Sequence, residues 1–315
     1  MEHSCHKPPI WTVFLGFLLL ASSVHTSVLA TPPDPAEDTV KASPSPAPVK
    51  VIRSVLVLAD SHGAGYFGRQ LHKILRKAYP DAKVTLVGAC GKAEGGFLGG
   101  NSSHCGVITI NRWGRLQHVK GCAKNPCTEA DGPKCLKRAC RTPKLRTLLR
   151  KIKPDLTIVQ LGGNSWYMGS MEKGWRRVVK RVHTVADLIL KKDSACVWVT
   201  PSDHFYWPQD SQDAFAAFYE KTLDGRCTVF NSRPSHRPYL NYRESVEALG
   251  LKRRQHDGIH YGWFKARGRT ISKQWASDIV SLALEVTHPK KLPTSTTQAT
   301  PPSAQSDQAV APNSP

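Results

Sequence analysis

The 315-residue sequence contains no Walker pattern, so no P-loop in it marks a nucleotide-phosphate cradle. Gly65 and Gly68, near a helix start, do not complete one. No His, Cys, Asp and Glu set has the spacing of a catalytic metal site, and no cofactor is expected. Acidic residues are scarce: 24 Asp and Glu stand against 44 Lys and Arg, a formal net charge of +20. Long apolar runs are missing too. The apolar run over 10–21 falls short of the roughly 20 residues a membrane-spanning helix needs. It follows His3, His6 and Lys7 and precedes a Ser/Thr-rich stretch ending Val28-Leu29-Ala30. That pattern is a secretory signal over 1–30, cut after Ala30, with an uncleaved anchor as the alternative. The mature chain is expected to be secreted or periplasmic, with no stable membrane span.

Segment 31–50 is rich in Pro, Ala and Ser, and 289–315 in Pro, Ser, Thr and Gln. Neither can bury enough apolar surface to offset its ordering entropy, so both read as disordered, a linker and a tail. What remains, 51–288, fits one α/β domain. The charge is concentrated there, with 39 Lys and Arg against 19 Asp and Glu in 51–287. Such a surplus implies polyanionic surroundings. For an exported chain, an anionic glycan, cell-wall polymer or membrane surface fits better than nucleic acid. The plainer reading, a basic protein that gains only solubility, stands beside it.

Eight cysteines follow the signal: Cys90, Cys105, Cys122, Cys127, Cys135, Cys140, Cys196 and Cys227. An even number in an exported chain favours disulfides, most simply between neighbours (90–105, 122–127, 135–140, 196–227). Zinc on Cys122, Cys127, Cys135 and Cys140 is the alternative, at spacings wider than the usual ligand pairs.

Along 51–288, short branched-apolar runs alternate with amphipathic segments. Strands are predicted over 55–59, 82–88, 154–161, 195–200 and 227–230. Helices are predicted over 67–78, 142–151 (with Pro143 at its first position), 172–190, 212–223 and 263–286. From 92 to 141 both periodicities vanish among Gly, Cys, Asn and basic residues, which reads as a Cys-rich basic insertion. Alternating strands and helices predict a doubly wound parallel sheet with helices on both faces.

Ligands bind such sheets at the carboxyl ends of the strands. Ser61 follows strand one, Gly91 strand two and Asn164 strand three, while Asp257 and His260 precede the last helix. Each type has a use there. A serine needs a base to become a nucleophile; His260 can supply one, and Asp257 can hold its tautomer. The N–H groups of Ser61 and Gly91 and the Asn164 amide could receive an oxyanion. Read alone, Asp60-Ser61 is equally a helix cap, and Asp257-Gly258 a turn. Aromatics gather at the same edge: Trp166 and Tyr167 after strand three, then Phe205, Tyr206 and Trp207 after strand four. With His62 as cleft lining, they could form a sugar platform or an acyl pocket, or simply pack loops onto the domain.

Ala59-Asp60-Ser61-His62, Gly91, Gly162-Gly163-Asn164 and Asp257-x-x-His260 occur in the order of the four blocks of the SGNH/GDSL hydrolase superfamily, which the chain resembles from about 55 to the last helix. Exported bacterial members are the most similar. Ala59 stands where the family has glycine, His62 where it has leucine, and Gly88 is a second candidate for the second-block glycine. The resemblance implies the SGNH hydrolase fold, a three-layer α/β/α, flavodoxin-like arrangement of about five parallel strands. It also implies Ser61 as nucleophile, His260 as base, Asp257 as its orienting acid, and Gly91 and Asn164 as oxyanion donors. The expected function is an exported serine esterase removing O-acyl groups, foremost acetyl, from a glycan. A lipid esterase, a thioesterase and a glycan O-acyltransferase are the enzymatic alternatives. A non-catalytic basic module that binds anionic cell-wall polymer is the alternative of another class.

Overall fold

In the computed structural model, residues 51–288 are described apart from 102, 104–105, 112–113, 121–140 and 166–171. The expected signal, linker and tail lie outside these residues, as do Cys105, Cys122, Cys127, Cys135, Cys140, Trp166 and Tyr167.

The chain centres on β1 (Ser54–Ala59), buried at all six positions. Its side chains alternate between two faces, as pleating requires. Val55 and Val57 join one apolar cluster, while Leu56 and Leu58 join the other. After β1 come a helical turn α1 (Ser61–Ala64), α2 (Tyr66–Ala78), β2 (Lys83–Ala89) and α3 (Glu94–Gly99). Next are β3 (Gly106–Ile110), β4 (Leu116–Lys120), α4 (Leu145–Ile152), β5 (Leu156–Gln160) and α5 (Glu172–Leu190). Then β6 (Ala195–Val199), α6 (Gln209–Leu223), β7 (Thr228–Phe230), α7 (Tyr242–Ala248) and α8 (Lys265–Thr287) complete it. No helix among the described residues is long and apolar enough to cross a membrane.

The sheet order is β4-β3-β2-β1-β5-β6-β7. Five strands, β2-β1-β5-β6-β7, are parallel, and their order is flavodoxin-like. One layer holds Phe67, Leu71 and Leu75 of α2 against Trp275, Ile279 and Ala283 of α8. The other holds Leu145 and Leu149 of α4, Val178, Val182 and Val185 of α5, and Phe215 and Tyr219 of α6. A leucine as fully buried as Leu56 or Leu58 contributes about 2 kcal/mol. The order in which strands are added reverses beside β1, between β2 and β5, so the crevice at that switch point opens next to Ser61.

The sheet is wider than five strands. β3 pairs antiparallel with β2, and β4 antiparallel with β3, inside the insertion expected to lack periodicity. Gly106-Val-Ile-Thr-Ile110 is too short to show a pattern between its neighbours, and β4 (Leu-Gln-His-Val-Lys) has no apolar face of its own. α4 begins at Leu145 with Lys144 as N-cap, so Pro143 precedes the helix instead of opening it. α7 lies outside the predicted helices; its signal is Asn241, whose side chain accepts the Glu244 N–H.

Cys196 and Cys227 form a disulfide with 4.7 Å between Cα atoms, stapling β6 to the start of β7. Cys90 is disulfide-bonded as well.

Candidate active site

Strand β1 runs out at Ala59, where Asp60 N–H still bonds the Gln160 carbonyl of β5 at 3.0 Å. Asp60 is the N-cap of α1, and its Oδ1 accepts the His62 N–H at 2.9 Å. Ser61 therefore opens the helical turn, and its own N–H has no acceptor within that turn. The capping and nucleophile readings of Asp60-Ser61 fall on two adjacent residues and coexist. Gly88, buried in β2 opposite Ala59, makes room for the turn: a Cβ there would lie 2.6 Å from Ala64 N. Its place is beneath the turn, whereas Gly91 is exposed at the strand's end with φ 68°.

His260 arrives from the other end of the chain. Asp257 Oδ1 accepts the N–H of Ile259 at 2.9 Å and of His260 at 2.8 Å, closing a tight turn around Gly258. Its Oδ2 lies 2.5 Å from His260 Nδ1. On the opposite side of the ring, Nε2 is 2.7 Å from Ser61 Oγ. Burial pushes the Asp257 carboxyl up, but the hydrogen bonds from His260 side chain and backbone outweigh it and hold the group well below the usual carboxylate range. An ionised carboxylate on Nδ1 fixes that nitrogen as the donor and leaves Nε2 free to take the serine proton. Ser61, His260 and Asp257, scattered in sequence, thus form one continuous relay.

Asn164 donates its side-chain amide to the Lys92 carbonyl at 3.2 Å, tying the loop after β5 to the loop after β2, next to Gly91. An amide carries two N–H bonds, so a second remains for a substrate oxygen. Beneath this loop sits a residue that sequence reasoning did not single out. Glu94 is fully buried and accepts from Ser165 Oγ and, at 2.7 Å, from Tyr219 Oη. Burial pushes its carboxyl above the ordinary range, against those hydrogen bonds. Tyr219 reaches it only because residue 162 is glycine, at φ 127°: a Cβ there would lie 2.5 Å from the tyrosine oxygen. Nothing in the sequence distinguishes Glu94 from the other charges of the insertion. Glu94→Ala would strand two buried hydroxyls, each costing about 1–3 kcal/mol. The expected results are a loss of about 3 kcal/mol in urea unfolding and a lower kcat from a displaced Asn164. Glu94→Gln, which keeps an acceptor, should lose less on both counts.

His62 is expected from sequence as cleft lining, but the structure buries it to 6% exposure. Its Nδ1 lies 3.2 Å from Asp60 Oδ1, and its Nε2 3.1 Å from the Ile259 carbonyl and 3.3 Å from Ser202 Oγ. Aromatic placement divides as well. Trp207 is buried with its ring stacked on His204, centroids 3.8 Å apart, so it packs a loop. Phe205 donates its N–H to the Gly258 carbonyl at 2.8 Å and leans on the core beside Tyr242 and His256. Tyr206 is exposed and covers Gly258.

His204 was not among the expected residues. It follows β6, and a Cβ on Gly163 would lie 3.5 Å from both its Nε2 and Asp60 Oδ2. Burial, with the nearby His62 charge, lowers its pKa to about 3, so it is neutral across working pH. The segment 201–207 is anchored by Arg233, buried at 2% exposure. That guanidinium donates to Asp203 at 3.3 Å, Asp213 at 2.7 Å, Gln212 at 2.8 Å and Gln209.

No protein-family model and no curated protein matches the chain. Among solved structures, it is similar to TesA (16% identity, 75% of this chain and 99% of that one, TM-score 0.41). It is also similar to the psychrotrophic esterase EstA from Pseudoalteromonas sp. (10%, 74% and 99%, TM-score 0.43). A third is a carbohydrate esterase family 3 protein from Talaromyces cellulolyticus (11%, 74% and 99%, TM-score 0.42). At such distance, the chemistry of this site has to be read from its own residues.

Proposed function

We propose that the protein is an exported serine esterase that removes O-acyl groups, acetyl foremost, from a glycan. The observation that carries the chemistry is the unbroken line from Asp257 through His260 to Ser61, with contacts of 2.5 and 2.7 Å. In the first half-reaction, Ser61 Oγ attacks the ester carbonyl while its proton passes to His260 Nε2. The tetrahedral oxyanion is met by the Ser61 N–H, the Gly91 N–H and the Asn164 amide. Collapse breaks the bond to the sugar oxygen, which leaves with the proton from His260. Water then repeats the sequence on the acyl-serine, releasing the carboxylic acid and restoring Ser61.

A sugar partner is supported by the surroundings. The exposed ring of Tyr206 beside the Asp257 turn offers a stacking face. Arg69, Lys73 and Arg76 share a face of α2, a helix without acidic residues, which suits an anionic polymer. Export is supported by the signal-like 1–30 segment and by the Cys196–Cys227 disulfide, a bond that persists in oxidising compartments. The test compares kcat/KM on acetyl and decanoyl esters of one chromogenic alcohol, together with acetate release from a panel of acetylated glycans. Acetyl preference of at least about tenfold, with acetate freed from a polymer, is expected. Preference for the long chain would make the protein a lipid-directed esterase. Acetate-free transfer to an added sugar would make it a transferase.

A further inference from the structure

Next to the proposed Ser61–His260–Asp257 relay lies a second histidine–carboxylate pair that the reaction above does not use. His62 is held at both ring nitrogens. Asp60, facing Nδ1, is an acceptor once ionised; the Ile259 carbonyl, facing Nε2 at 3.1 Å, can only accept. Ser202 Oγ, at 3.3 Å, can play either part and does not change this requirement. A neutral imidazole has one N–H and would leave a lone pair pointing at one of those oxygens. Both contacts are satisfied together only by the imidazolium.

We propose that His62 is a positioning residue that works as a buried cation, clasping Asp60 at the nucleophile turn to Ile259 on the base loop and thereby setting the position and basicity of His260. The clasp sits where such an effect is largest. Ile259 immediately precedes His260, and the two imidazole rings lie 4.9 Å apart. Trp275 of α8 covers the remaining side of His62, edge-on at 5.5 Å, and keeps water from screening it. The ionisable groups around it are Asp60 beside it, Asp257 and His260 on the base loop, and His204 after β6. His204 is neutral, so two carboxylates face the one cation. Burial alone would discharge both members of the pair. Their hydrogen bond and mutual attraction reverse that, holding Asp60 below the usual carboxylate range and His62 above the usual imidazole range.

Removing the cation takes away a positive charge whose ring lies 4.9 Å from that of His260, which favours the imidazolium form of the base. The direction of the effect follows: the acid limb of the pH–rate profile moves to higher pH. This inference rests on the esterase reading, so its test has an arm that needs no activity. In the full chain labelled with 15N-histidine, His62 should show both ring nitrogens protonated at neutral pH. In His62→Gln, the acid limb of acetyl-ester hydrolysis should rise by about one pH unit, with kcat falling and KM within about twofold of the parent. A neutral His62 ring, or an unmoved limb in a folded His62→Gln protein, overturns the proposal. If that variant does not fold, the ring-nitrogen measurement on the parent decides. An inactive parent would instead remove the esterase reading, and activity that survives Ser61→Ala the nucleophile assignment; either would leave the protonation result standing.

Discussion

Ser61→Ala and His260→Ala should each lose at least about a thousandfold, and up to about a millionfold, in kcat on an activated acetyl ester. Each breaks the relay at one of its two contacts, the 2.7 Å approach of His260 Nε2 to Ser61 Oγ. Combining the two should cost little more than either alone, because the residues act as one unit. Asp257→Asn should fall by about ten-thousandfold for a different reason: an amide can present its N–H to Nδ1 and lock the ring in the wrong tautomer. The folded state should scarcely register the serine change. Ser61 is half-buried at the start of a turn that Asp60 caps, so its variant should melt within a few degrees of the parent. Steady-state kinetics with active-site titration of the parent measures all of this. Retained turnover in purified Ser61→Ala sinks the nucleophile assignment.

The largest loss of stability is expected from Arg233→Ala. Arg233 and Asp203 are exposed by 2% and 0%, so the substitution leaves a carboxylate buried without its cation. Breaking such a pair from one side costs about 3–5 kcal/mol. For a domain of this size, the melting temperature should drop by about 10 °C. Asp213, half exposed, contributes less to the total because solvent screens it. The damage should not stay local. Gln212, which accepts from Arg233, also holds both the N–H and the carbonyl of His204 and the carbonyl of Trp207. Arg233→Lys should recover only part of the loss, since one ammonium cannot serve four acceptors in a plane. Urea unfolding that places Arg233→Ala within about 1 kcal/mol of the parent would show that Asp203 finds another partner.

Legibility in the sequence followed the physics of each feature. The buried strand Val55–Ala59 announced itself because both of its faces are apolar, and a one-face strand would have been harder to separate from helix. Helix 172–190 matched its valine spacing to the residue. Strands β3 and β4 did not, because an edge hairpin of five-residue strands carries no period long enough to see. Within the site, residues fixed by backbone position were visible: Ser61, Asn164, Asp257 and His260 all sit where strands or turns end, and the structure brings Ser61, Asp257 and His260 into contact. Residues that act by burial were not. Glu94, His204 and Arg233 are ordinary polar letters until the fold encloses them, and His62 was noticed but read as cleft lining. Enclosure depends on contacts across the chain, such as Glu94 with Tyr219, 125 positions apart.

The 199-residue separation between Ser61 and His260 also sets a timetable for the chain. Synthesis delivers the proposed nucleophile long before its base. The base loop is held down by α8, which packs on α2 beside β1. Such long-range closure is slow relative to local structure, because the entropy of joining the ends must be met before any contact rewards it. Truncated or half-folded forms therefore carry a serine with no partner and cannot cleave esters. Recovery of turnover after dilution from denaturant should lag the return of helical signal, making activity a clock for the last step of folding.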